Sequence, residues 1–212
     1  MTKEKIKLGI LGCGRVCEHY IQKILISERV GTLFKVVACC DIDKKKSTYV
    51  GNIFSCKSYN NIDEFVQHED MEAVVILTRS GQHYEHSKIC LLNYLNVIVE
   101  KPLSLRIEHA EELINISSET GKFCASIFQN RLNPAVDVTK NAFEKKRFGN
   151  LVSVSVRLRW CRLQEYYDDG WHGTWAQDGG VTNQQAIHHV DALTWICGNV
   201  KSVSAMSAKR AN

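Results

Sequence analysis

The segment Gly12-Cys13-Gly14-Arg15-Val16-Cys17 directly follows the apolar run Ile6–Leu11 and opens an amphipathic stretch at about 15–28. A strand that turns on glycines into a helix constrains a chain strongly. The turn needs backbone angles that glycine adopts freely, and the helix then needs a sheet to pack on. The rhythm continues downstream, where 35–40, 73–77, 96–99 and 123–127 are short apolar runs rich in β-branched residues. Helix-like stretches at about 43–50, 62–67, 82–93 and 106–120 separate them. The runs are apolar throughout rather than alternating, as in a parallel sheet covered on both faces. Asn60-Asn61 and Ser80-Gly81 stand where helices should start, and Gly121 where one should stop. The expected fold class is α/β, with a Rossmann domain of parallel strands over residues 1–128.

After Pro134 the rhythm changes. A helix at about 134–145 precedes 151–160, where Val152, Val154, Val156 and Leu158 alternate with Ser153, Ser155, Arg157 and Arg159. Strict alternation predicts a half-buried, antiparallel strand. An aromatic loop, a helix at 183–197 and a last strand at about 200–208 follow. Residues 129–212 are therefore expected to form a second, partial α+β domain with an open, mainly antiparallel sheet. An open sheet edge invites pairing, so a homo-oligomer, dimer or tetramer, through this sheet is expected.

Composition excludes other classes. With 44% hydrophobic and 24% charged residues the chain can bury a sizeable core. A net charge of +4, with short basic clusters at Lys44-Lys45-Lys46 and Lys145-Lys146-Arg147, is too mild to predict nucleic-acid binding. The nine cysteines are odd in number, contain no CxxC, and several lie inside apolar runs, so they read as small buried hydrophobes in a reduced compartment. No metal site is expected. No signal peptide or membrane-length apolar run is visible, so a cytoplasmic location without membrane contact is expected.

The glycine segment is the strongest binding signal. Gly12 permits the tight turn, Gly14 lets the backbone approach a pyrophosphate, and the helix N-terminus at Arg15 and Val16 offers unpaired N–H groups to it. Cys17 takes the third position, where Gly or Ala is usual, which loosens the helix–strand contact slightly. Asp41 ends the second strand, where a carboxylate accepts from ribose hydroxyls and repels a 2′-phosphate. NAD is therefore expected over NADP. Asp41 lies 27 residues after Gly14, longer than the usual spacing of roughly 20, and a cap for the next helix is its plainer alternative role.

Polar groups also cluster where strands should end. The segment Thr78-Arg79-Ser80-Gly81-Gln82-His83 follows one strand and Glu100-Lys101-Pro102 another, and both should face the ligand. A lysine there lowers the energy of an alkoxide or moves a proton if burial depresses its pKa. By itself, Glu-Lys-Pro is more often a surface turn. Farther on, Gln184, His188 and Asp191 share one helical face. A histidine near neutral pKa can carry a hydroxyl proton while hydride leaves the carbon. A lone helical histidine is more often structural.

Together, Gly-Cys-Gly-Arg, Cys-Asp-Ile-Asp, Thr78 through His83, Glu-Lys-Pro, Gln129-Asn130-Arg131-x-Asn133-Pro134 and the Gly-Gly…His-x-x-Asp helix occur in an order that resembles the Gfo/Idh/MocA oxidoreductases. Trp160-x-Arg162 through Glu165-Tyr166-Tyr167 to Trp175 is most similar to members oxidising UDP-N-acetyl-hexosamines or their uronates at C3. The resemblance implies an NAD-dependent sugar dehydrogenase. Lys101 would polarise the reacting hydroxyl, His188 would serve as acid/base, and Gln184 would stand beside them. Glu100 would lie near the nicotinamide ribose, with Thr78, Ser80, His83 and Gln129 lining the cofactor. Arg131, Arg162, Tyr166, Tyr167 and Trp175 would meet the sugar nucleotide, arginine suiting its oxygens through a two-point fork.

Two positions depart from the family pattern. Arg79 replaces a common proline, and Gln184 replaces a common Asp or Asn. Glutamine is no base, so Lys101 and His188 would carry the proton transfer between them. Members normally continue further, so a C-terminally truncated chain is expected. Two alternatives stand beside the sugar-nucleotide dehydrogenase. One is a simple aldose, inositol or dihydrodiol dehydrogenase. The other is a non-catalytic NAD-binding regulatory or interaction protein of the same fold.

Overall fold

A computed structural model of the chain describes residues 4–25 and 27–208. It divides into two compact units, Met1–Ile127 with Arg162–Gln184, and Phe128–Cys161 with Gln185–Asn212.

In the first unit, strands β1 (Ile6–Leu11), β2 (Phe34–Cys40), β3 (Lys57–Tyr59), β4 (Ala73–Ile76), β5 (Asn96–Val99) and β6 (Cys124–Ser126) form one wholly parallel sheet. Its order is β3-β2-β1-β4-β5-β6, the doubly wound arrangement whose direction of winding reverses between β1 and β4. The continuous apolar character of the strands has a direct cause. Along β4, Val74 and Ile76 enter one core cluster while Ala73 and Val75 enter another. Because side chains alternate across a strand, both faces of the sheet are covered.

Helices α1 (Arg15–Tyr20), α2 (Glu28–Gly31), α3 (Lys44–Phe54), α4 (Ile62–Phe65), α5 (His83–Leu92) and α6 (Ile107–Thr120) connect the strands. Their ends carry the expected chemistry. The Asp43 and Asn61 side chains cap α3 and α4 by accepting from Lys45 N and Asp63 N, and Gly121 stops α6 in the left-handed region at φ 65°. Ser80–Gln82 forms a 3-10 turn leading into α5.

The first crossover differs from the single helix expected at 15–28. A π turn, Ile21–Leu25, follows α1, and Ser27 adopts extended backbone (φ −68°, ψ 139°) while capping α2 through Val30 N. That extended residue breaks the helical path. β3 was invisible in the sequence because it is three residues long and two of them, Lys57 and Ser58, are polar.

The second unit holds a 3-10 turn, Gln129–Leu132, and helices α7 (Pro134–Glu144) and α8 (Ile187–Cys197), which pack on each other. Asn133 caps α7 through Ala135 N, with Pro134 in its first turn. The antiparallel strands expected at 151–160 and 200–208 do not form: neither run carries a ladder. A strand needs a neighbour to take its N–H and C=O groups, and among the described residues no segment pairs with either. Val152 and Val203 are accordingly exposed, while part of 150–156 borders an apolar groove of about 520 Å³ with Phe143, Phe148, Leu193 and Ile196.

All nine cysteines are free, and those at 13, 17, 39, 40 and 90 are buried. No helix among the described residues is long and apolar enough to cross a membrane.

Candidate functional site

The winding reversal brings the turn after β1 against the end of β4. Gly12 N donates to Cys40 O and Leu77 N to Leu11 O, both at 2.8 Å. Gly12 sits at φ 96°, and a side-chain carbon there would stand 2.8 Å from the backbone of Leu77 and Thr78. Only glycine fits. Gly14 differs, because a carbon built on it would meet nothing within 4 Å. That open space lies at the N-cap of α1, where a pyrophosphate needs close backbone approach and free N–H groups. Arg15 and Val16 open the helix and are exposed, whereas Cys17 is fully buried against the sheet.

Asp41 is tied to this turn. Its carboxylate accepts from Cys13 N at 2.7 Å and from Asp43 N at 2.8 Å. The cap of α3 is Asp43, so Asp41 is free of that task. A carboxylate offers about four acceptor positions, and two remain for a vicinal diol. The residues present therefore fit the adenosine ribose and pyrophosphate of NAD.

Beyond β5, Glu100 and Lys101 precede a cis Lys101–Pro102 bond. The Glu100 carboxylate accepts from Lys101 N at 3.1 Å and from the Tyr20 hydroxyl at 2.6 Å. Burial, followed by the Glu100 charge, pushes the Tyr20 hydroxyl well above its ordinary pKa. Tyr20 thus links the helix of the glycine turn to the Glu100 carboxylate. Sequence reading missed it, since its partner lies 80 residues away and no local pattern pairs them. His83 is buried, with ring nitrogens 2.6 Å from Pro102 O and 3.0 Å from Thr78 O, and burial lowers its pKa. It joins the two segments that follow β4 and β5. Thr78 Oγ1 lies 3.0 Å from His86 Nδ1, and burial pushes the His86 pKa down to about 4. Ser80 is buried beside them, and Arg79 is exposed.

Lys101 Nζ donates to both the backbone oxygen and Oε1 of Gln184, each at 2.7 Å. Gln184 is buried, in a π turn (Thr182–Ala186) that runs into α8. Burial lowers the Lys101 pKa, opposed by the Glu100 and Asp178 charges. Asp178, a further residue without an assigned role in the sequence, is buried and accepts from Gly173 N at 2.8 Å. An ammonium with two neutral acceptors on one side keeps a third N–H for a substrate oxygen.

The other candidates divide between the units. In the first, the Arg162 guanidinium lies 5.2 Å from the Tyr166 ring centre, Tyr166 meets Tyr167 edge-on, and Trp175 is exposed against Gly180. The His172 ring contacts Tyr166 and Trp171 at tilted angles of 37° and 32°, with Nδ1 2.6 Å from Asp169. In the second, His188 lies on α8, Gln129 is exposed on the 3-10 turn, and Arg131 is bound to Asp191 through Nε at 2.9 Å and a terminal nitrogen at 2.5 Å. That carboxylate raises the Arg131 pKa.

Residues 6–128 match the oxidoreductase family with an NAD-binding Rossmann fold, and residues 137–212 match the GFO/IDH/MocA C-terminal domain. Among solved structures, the WlbA dehydrogenase of Chromobacterium violaceum, in complex with NADH and UDP-GlcNAcA, is 32% identical with a TM-score of 0.87. That match covers 93% of this chain and 57% of the other. The WlbA dehydrogenase of Bordetella pertussis, with the same two ligands, is 31% identical over 98% of this chain and 65% of its own, with a TM-score of 0.89. An uncharacterized oxidoreductase of Synechocystis sp. is 28% identical over 70% of this chain and 40% of its own. The chain therefore spans less than two thirds of each of these relatives. With the first match running over more than half of its residues, the chain belongs to the GFO/IDH/MocA oxidoreductase family, and its first domain is an NAD-binding Rossmann fold.

Proposed function

We propose that the protein is an NAD-dependent sugar dehydrogenase acting at C3 of a UDP-N-acetyl-hexosamine or its uronate. The observation that carries this reading is the Lys101 ammonium beyond β5, held at 2.7 Å by two oxygens of Gln184 and next in sequence to the Tyr20-bound Glu100. NAD, which Gly12, Gly14 and Asp41 would hold, would supply the acceptor for the hydride that leaves the hydroxyl carbon. The chain's own groups handle the oxygen. Lys101 donates its remaining N–H to the reacting hydroxyl and stabilises the charge developing there. Gln184 fixes the direction of that ammonium without titrating, because an amide has no proton to give up near neutrality. His188 takes up the hydroxyl proton. Glu100 would hold the nicotinamide ribose and Asp41 the adenosine ribose.

The sugar-nucleotide class is supported by the two WlbA structures, whose ligand is UDP-GlcNAcA. Arg162, Tyr166, Tyr167 and Trp175 offer it guanidinium and aromatic contacts. We further assign a homo-oligomer through the second domain, whose exposed valines at 152 and 203 favour association.

The test is NADH absorbance with NAD and a panel of UDP-N-acetyl-hexosamines, their uronates and free inositols. Turnover is expected with a UDP-sugar. Lys101→Met and His188→Asn are each expected to lower it by about 10²–10⁴-fold with NADH still bound. NADH binding without turnover on any sugar overturns the catalytic reading in favour of a nucleotide-binding regulator.

A further inference from the structure

We propose that Asp191 is a positioning residue for the His188 imidazole, acting through Arg131 and Phe128. The inference rests on His188 carrying the proton in the reaction assigned above. Asp191 stands three residues after His188 on α8, on the same helical face. Its carboxylate is nearly buried, 9% exposed, and is turned to Arg131. Both oxygens are engaged, one by Nε and one by a terminal nitrogen, the two-point geometry that fixes a guanidinium in orientation as well as place.

The fixed guanidinium lies 5.7 Å from the ring centre of Phe128 and 5.6 Å from that of Trp195. Its backbone is also tied to Phe128, with Arg131 N donating to Phe128 O at 3.1 Å to close the 3-10 turn. Phe128 in turn meets His188 at 6.5 Å between ring centres and 80° between planes, the edge-to-face arrangement that aromatic quadrupoles favour. The line from carboxylate to imidazole is therefore continuous: Asp191 orients Arg131, Arg131 holds Phe128, and Phe128 sets the ring of His188. All four groups lie within one compact unit. In this arrangement Arg131 serves the histidine, rather than a substrate phosphate.

Arg131→Lys is the informative variant. It keeps the positive charge and loses both the planar face and the two-point fork, so a charge effect alone would leave His188 unmoved. With ring-¹⁵N-labelled histidine, the His188 resonances are identified by their loss in His188→Asn. They are expected to shift in Arg131→Lys, in Asp191→Asn and in Phe128→Leu, while those of His19, His68, His83, His86, His109 and His172 stay in place. Unmoved His188 resonances in folded Arg131→Lys or, should that variant not fold, in Phe128→Leu overturn the proposal.

Kinetics give a second reading. Arg131→Lys is expected to lower kcat about tenfold with little change in the KM for NAD, and to have no further effect in the His188→Asn background. Additive losses would mean that Arg131 acts elsewhere, on substrate or on the fold. Turnover unchanged in His188→Asn would instead sink the catalytic role of His188, leaving the resonance shifts to judge its positioning separately.

Discussion

β4 and residues 151–160 carry the same β-branched chemistry and end in opposite environments. In β4, Ala73, Val74, Val75 and Ile76 are each at most 3% exposed, and β1 and β5 flank them. In 151–160, Val152 is 94% exposed and no strand lies alongside among the described residues. The difference teaches that a run of valines specifies fitness for a pleated, half-buried surface and does not specify the neighbour that supplies it. Where a strand is hydrogen-bonded along both edges and covered on both faces, as β4 is between β1 and β5, pattern and burial agree.

The largest effect expected from this contrast is at glycines. Gly12→Ala adds a carbon 2.8 Å from the backbone of Leu77 and Thr78, which no rotamer relieves. A loss on the order of 4–5 kcal/mol is expected in urea unfolding, together with loss of NADH binding. Gly149, in the second unit, also has positive φ (66°), but an added carbon meets nothing there. Gly149→Ala should cost about 1–2 kcal/mol, the local backbone term alone, and leave NADH binding intact. Equal losses at the two positions would break the distinction between a packed turn and an open one.

Much of the first unit was legible for the same reason. Gly12, Gly14 and Asp41 lie in one strand–turn–helix–strand unit, so their spacing in sequence already implied proximity in space. β1 and β5 coincide with the expected runs at 6–11 and 96–99, because mainly apolar runs bounded by polar turns leave little choice. What was hidden depends on contacts between distant segments. Tyr20 finds Glu100 across the sheet, Gln184 finds Lys101 across 83 residues, and Asp191 finds Arg131 across 60. Each is a single polar side chain with no repeating neighbour to announce its partner.

A second, smaller effect sharpens the contrast in packing. Leu113 is fully buried in the core cluster that holds Val97 and Val99, and Leu113→Ala should destabilise by about 2–5 kcal/mol through lost transfer energy and the cavity left behind. Val152→Ala removes atoms that are already in water and should stay within about 0.5 kcal/mol. A large loss at Val152 would mean that its side chain is covered in solution, and sedimentation would then tell whether a second copy covers it.

The smallest effect concerns the Lys101 niche, and its sign discriminates. Burial holds the Lys101 pKa below the ordinary 10.5. Between that lowered value and 10.5 the unfolded chain binds more protons than the folded one, so the Lys101 contribution to stability grows as pH rises and is lost as pH falls through the folded pKa. Gln184→Glu places a carboxylate where Oε1 now accepts from Nζ, 2.7 Å away, and should raise the lysine pKa toward or past its ordinary value. In urea unfolding at pH 7–10.5, the stability of the variant relative to the parent should therefore be greatest at pH 7, by about 1 kcal/mol, and decline as the lysine deprotonates. Tyr20, whose pKa is shifted upward by burial and Glu100, titrates alike in both proteins and cancels in the difference. A difference that is flat with pH would mean that Gln184 does not hold the ammonium in solution. Because an amide holds the charge without pairing it, the parent lysine gives up its proton more easily than the variant's, so its alkaline limb in turnover should lie at lower pH.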